Sequence, residues 1–100
     1  MTHRITNRDL AVLINRLNDI TGSPLHPWIK GLDGHNVAQL GNYHLTGAYG
    51  GLTLHRMHNA GGGVTTPLGG GIMTKRGMYD ALHAYINGFY EGKELAKSRA

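Results

Sequence analysis

The stretch Tyr43-His44-Leu45-Thr46-Gly47-Ala48-Tyr49-Gly50-Gly51-Leu52-Thr53-Leu54-His55-Arg56-Met57 decides the fold. Its two arms, Tyr43–Thr46 and Leu52–Met57, alternate in polarity and carry aromatic and β-branched residues, the pattern of strands with one covered face. Gly50-Gly51 between them reads as a two-residue turn, because the primed hairpin turns need positive φ at their centre. That turn sets Tyr49 opposite Leu52, Thr46 opposite His55 and His44 opposite Met57. A longer loop over Gly47–Gly51 would shift the register and exchange the faces. Asp33-Gly34 is a second turn signal, joining a short strand around Trp28–Leu32 to one around Asn36–Leu40.

On either side of these strands the apolar period changes to that of a helix. Leu10, Leu13, Ile14, Leu17 and Ile20 form one helical stripe and predict a helix over residues 7–20. Thr6 caps it, Asp9 completes a capping box, and Ile5 with Leu10 forms a hydrophobic staple. Gly22 and Pro24 stop it. Near the other end Thr74 caps a second helix whose stripe is Met78, Leu82, Tyr85, Ile86 and Phe89, with Met73 and Met78 as staple. Gly88 and Gly92 each cost about 1 kcal/mol against Ala in a helix, so this helix is expected to weaken near Tyr90 and to fray over 93–100. The order predicts a single α+β domain over residues 1–100: a small antiparallel sheet built on a central hairpin, flanked by an N-terminal and a C-terminal helix that pack on one sheet face.

The chain has 100 residues, room for one domain with a modest core. Ten Lys+Arg against six Asp+Glu give a net charge of +4, a mild bias towards an anionic partner. All but Lys30, Asp33 and Arg56 of these charges sit at the two ends, however, with the cations interspersed among carboxylates, which does not resemble a phosphate track for duplex DNA. No cysteine is present, which excludes disulfides and thiolate chemistry. With no apolar run of membrane-spanning length and a charged start at Met1-Thr2-His3-Arg4, neither a membrane span nor a secretory signal is expected.

Glycine is the compositional outlier, at sixteen residues. Gly61-Gly62-Gly63-Val64-Thr65-Thr66-Pro67-Leu68-Gly69-Gly70-Gly71 is read as a flexible loop running into the second helix. Free backbone N–H groups ahead of a helix N-terminus favour an anion, and Lys75 and Arg76 in the first turn are easier to understand if they face one. The spacing is not that of a nucleotide-binding phosphate loop. On the strand period His44 and His55 share a sheet face, and with Tyr49 they are candidate polar walls of a pocket. Arg56, isolated on an apolar strand, either pairs with Asp9, Asp19 or Asp80 or contacts a ligand. The candidate ligand-binding set is therefore His44, Tyr49, His55, Arg56, Gly62, Gly63, Thr65, Thr66, Lys75 and Arg76. The scarcity of Ser and the lack of paired carboxylates or metal-ligand spacing give no catalytic residues, no metal and no cofactor. Trp28 is read as an anchor at one edge of the core. Tyr79, Tyr85, Phe89 and Tyr90 cover more than one helix face, which predicts a homo-oligomer involving the last helix.

The ordered series Gly41-Asn42-Tyr43-His44-Leu45, Ala48-Tyr49-Gly50-Gly51, Leu54-His55-Arg56-Met57-His58-Asn59 and Gly61-Gly62-Gly63-Val64 resembles a group of small proteins encoded by tailed bacteriophages. The resemblance implies a phage origin, carries over no catalytic residue, and implies a role in disabling a host enzyme or host immunity. Together these readings predict a non-enzymatic phage accessory protein in the cytoplasm of an infected bacterium. It is expected to sequester a phosphate-bearing small molecule such as a nucleotide immune signal. The alternative expectation is an inhibitor that docks on a host protein.

Overall fold

A computed structural model describes residues 4–98. Helix α1 spans Asn7–Thr21 and begins as its sequence dictates: the Thr6 hydroxyl accepts from the Asp9 amide at 3.2 Å, and the Asp9 carboxylate accepts from the Thr6 amide at 2.8 Å. Gly22, in the left-handed conformation, closes it, and the Ser23 amide donates back to the Asn18 carbonyl. The strands are β1 Trp28–Lys30, β2 Asn36–Ala38, β3 Tyr43–Ala48, β4 Gly51–Met57 and β5 Val64–Thr65, and helix α2 covers Lys75–Ser98.

The α+β class and the two flanking helices are as the sequence predicts, but the strands form two sheets rather than one. Strands β1 and β2 make a separate antiparallel hairpin, Ile29 opposite Val37, with the Asp33 carboxylate bonded to the His35 amide in its turn. That bond and the His35 ring hold the Asp33 carboxyl below its ordinary pKa. A tight turn at Gln39–Asn42, closed by the Asn42 amide on the Gln39 carbonyl, swings β2 out of line with β3.

The second sheet has the order β3-β4-β5. Its hairpin turns at Tyr49-Gly50, both at positive φ (51° and 76°), so Ala48 stands opposite Gly51, His44 opposite His55 and Tyr43 opposite Arg56. This is one residue earlier than Gly50-Gly51. The cause is tertiary: Leu52 bridges Met73, and Ile72 passes so close to Gly51 that a Cβ there would run into its Cγ2. Gly51 is therefore needed in the strand. The pairing parity is unchanged, so the faces keep their predicted contents.

Tyr43, Leu45, Leu52 and Leu54 face the helices and join Leu10, Leu13, Leu17, Met78, Leu82 and Ile86 in the core. His44, Thr46, Thr53 and His55 occupy the opposite face. Helix α2 does not weaken at Tyr90 but continues unbroken to Ser98. Phe89 packs edge-on against Tyr85, and the Lys93 ammonium donates to the Ile20 carbonyl at 2.9 Å, tying the outer half of α2 to the end of α1. These contacts offset the two glycines. The last two residues of the expected frayed tail lie outside the described residues. Among the described residues no helix is long and apolar enough to cross a membrane.

Candidate functional site

The glycine-rich segment is tied to the outer flank of β4 at both ends. Val64–Thr65 pairs with Arg56–Met57, and Met73 exchanges backbone hydrogen bonds with Leu52 at 2.8 Å. The amides of Gly61 and Gly63 donate to the Asn59 side chain, and that of Gly62 to the Asn59 carbonyl. All three N–H groups of the first triplet are thus committed within the loop. Gly62, at φ 94°, lies under the Trp28 indole: a Cβ there would stand 2.7 Å from the ring. The triplet is a seat for Trp28, which is 43% exposed and anchors the β1–β2 hairpin rather than the main core.

The predicted ligand set is divided among separate places. His44 and His55 meet edge to face on the open sheet face, ring centroids 5.6 Å apart. The Asn42 amide donates to the Pro24 carbonyl, which leaves its oxygen for the His44 Nδ1 at 3.1 Å and makes that nitrogen the donor. Burial, and secondarily the neighbouring His55, lowers the His44 pKa. His55 Nδ1 shares a hydrogen bond with the Thr46 hydroxyl at 3.0 Å. Among the described residues no three His, Asp or Glu side chains come together to hold a metal.

Arg56 and Thr65 pair on the helix-facing side at the opposite end of β4 from Leu52 and Met73. The Arg56 guanidinium lies 5.2 Å over the Tyr43 ring, a cation–π contact, where pairing with a helix aspartate is one of the two expectations. Tyr49 is at the hairpin tip, almost fully exposed. Lys75 and Arg76 are exposed on the first turn of α2, where Thr74 accepts from the Gly77 amide. Arg76 reaches over the Tyr79 ring. Thr66 is exposed and its carbonyl accepts from Gly69. Of the ten residues, the structure brings together only His44 with His55 and Arg56 with Thr65, and keeps Gly62 and Gly63 side by side beneath Trp28.

What the structure does concentrate is apolar surface. Of the twelve exposed large apolar side chains among the described residues, Trp28, Ile29, Leu32, Val37 and Leu40 lie on or beside the β1–β2 hairpin. Trp28 and Ala38 share its inner face, towards the glycine seat, and Ala38 is buried. Ile29 and Val37 form a cross-strand pair on the outer face, and Leu32 stands wholly in solvent at the turn. The sequence carries this signal as unshielded aliphatics on both sides of Asp33-Gly34, but periodicity alone does not say which face a second layer covers. A separate apolar groove of about 310 Å³ runs between α1 and the free edge of β3, lined by Leu10, Ala11, Ile14, Leu25, Leu45 and Leu52 among others.

No family model, no curated protein and no solved structure matches this chain.

Proposed function

We propose that the protein acts by docking on another polypeptide through the outer face of its β1–β2 hairpin. The observation that carries this reading is the exposed Ile29–Val37 pair with Leu32 at the tip, projecting from a hairpin whose other face is anchored by Trp28. Contiguous apolar surface of this kind is costly in water and marks an interaction site. A paired two-stranded element anchored on its other face presents it at low ordering cost. The resemblance to small phage proteins supports a host polypeptide as the partner, with inhibition as the outcome.

The sequestration reading has less support, because the Gly61–Gly63 amides already donate to Asn59 and Arg76 lies over the Tyr79 ring rather than against the loop. The experiment is site-specific photocrosslinking in bacterial cells from an amino acid placed at Leu32. One discrete host adduct, lost when Ile29→Asp and Val37→Asp are introduced in a chain that still melts cooperatively, is the expected result. Absence of a discrete adduct overturns the reading. A nucleotide released on heat denaturation would then restore sequestration in its place.

A further inference from the structure

We propose that the free edge of β3 is the seam of a two-fold dimer, in which Leu45 of each copy stands opposite Gly47 of the other. The outward direction of this edge is fixed by Tyr43, whose N–H and C=O both bond to the Asn18 side chain, at 2.8 and 3.0 Å. With a strand period of two, the backbone groups of Leu45 and Gly47 point the same way. They take no bond from any described part of the chain. Beyond the Asn18 cap on Tyr43 the edge is unguarded: from Tyr43 to Gly51 there is no Lys, no Pro and no other charged residue.

The occupant that fits is a second copy, because the surface is self-complementary. An antiparallel partner centred on Thr46 satisfies all four free groups of Leu45 and Gly47 in each copy. Helix α1 borders the same groove through Asn7, Ala11 and Asn15, and a dyad through Ala11 sets Asn7 of one copy against Asn15 of the other. Both points stand at a similar distance from the Asn18–Tyr43 link, as a shared dyad requires. Ala11 lies seven residues, about 10 Å, along the helix from Asn18, and Thr46 lies three residues, about 10 Å, along the strand from Tyr43.

Charge and area agree with this partner. None of the groove's lining residues is Lys, Arg, Asp or Glu, so two copies of net charge +4 can meet there without opposing formal charges. The chain exposes 6802 Å², against about 5,500 Å² for a compact chain of its mass. That excess is larger than the roughly 800 Å² each partner buries in a standard interface.

Sedimentation velocity of the full chain tests the proposal. Twice the 10.8 kDa chain mass is expected at tens of micromolar. Gly47→Pro removes an outward N–H, and Thr46→Lys sets two like charges across the dyad; each is expected to weaken dimerisation at least tenfold, while Gly47→Ala does not. Should Gly47→Pro fail to fold, Thr46→Cys decides. The chain has no cysteine, and a non-hydrogen-bonded pair on a dyad lies at disulfide distance, so rapid oxidation to a covalent dimer is expected. A monomer at all concentrations, or a dimer indifferent to these substitutions, overturns the proposal, and the latter would move the interface elsewhere, α2 included.

Discussion

The side-chain amide of Asn18 makes to Tyr43 the two hydrogen bonds that a neighbouring strand would make, donating to its carbonyl at 3.0 Å and accepting from its N–H at 2.8 Å. Asn18 is fully buried and Tyr43 nearly so. A helix side chain thus finishes the edge of a sheet where water cannot reach it. Asn18→Ala would leave both backbone groups unsatisfied. A loss of about 2–4 kcal/mol is expected in urea unfolding, without a change in slope.

Tyr49 holds a left-handed conformation at φ 51° with its ring in solvent. A bulky residue there is strained, whereas Asn adopts it readily and Asn-Gly is the favoured pair for this turn. Tyr49→Asn is expected to raise stability by about 1 kcal/mol, measured as a higher urea midpoint. No change or a loss would show that the ring makes contacts that offset the strain.

Gly62 and Trp28 should be energetically coupled. Gly62→Ala incurs the positive-φ cost of about 1–2 kcal/mol and also pushes the indole from its seat. In a Trp28→Ala background only the first cost remains. A double-mutant cycle is therefore expected to return a coupling of about 1 kcal/mol or more, and strict additivity would contradict the packing described.

Burial holds His44 neutral in the folded chain, with a pKa below the ordinary 6.5. Above 6.5 both states are neutral and the group's contribution is fully present. As pH falls below 6.5 the unfolded chain takes up the proton first, so stability declines until the folded value is passed. His44→Gln should flatten stability against pH in that window, measured by urea midpoints at successive pH values.

Tyr43 behaves in the opposite range. Burial and its hydroxyl contact with Tyr85 push its pKa from 10 to about 12. Its contribution is complete below pH 10 and is lost as the pH rises from 10 towards 12, because the unfolded chain ionises first. A tyrosinate absorbance titration should show a late step that Tyr43→Phe removes.

Much of the architecture was legible because its determinants are local. The Thr6–Asp9 box, the Leu10–Leu17 stripe and the Gly22 stop place α1 to within one residue. The parity of the central hairpin, and hence the shared face of His44 and His55, follows from alternation alone. What escaped depends on contacts distant in sequence. The turn moved to Tyr49-Gly50 because Ile72 needs the space at Gly51. Strand β5 is only Val64-Thr65, β-branched but too short to read as a strand without its pairing to β4. The candidate site suffered most. A glycine triplet offered as a cradle for negative charge and one offered as a seat for an indole have the same composition, and only the position of Trp28 distinguishes them. The aromatic surplus on α2 is likewise mostly absorbed by the core, with Tyr79, Tyr85 and Phe89 half-buried and Tyr90 left exposed.

Trp28 is the chain's sole tryptophan, and its ring rests on backbone at Gly62 while one side remains open. The protein therefore carries an intrinsic fluorophore at the joint between its projecting finger and its body. Emission wavelength and quencher access read out, in the unlabelled wild-type chain, the burial of the ring at that joint. Titrating any suspected binder against this signal reports on engagement of the finger.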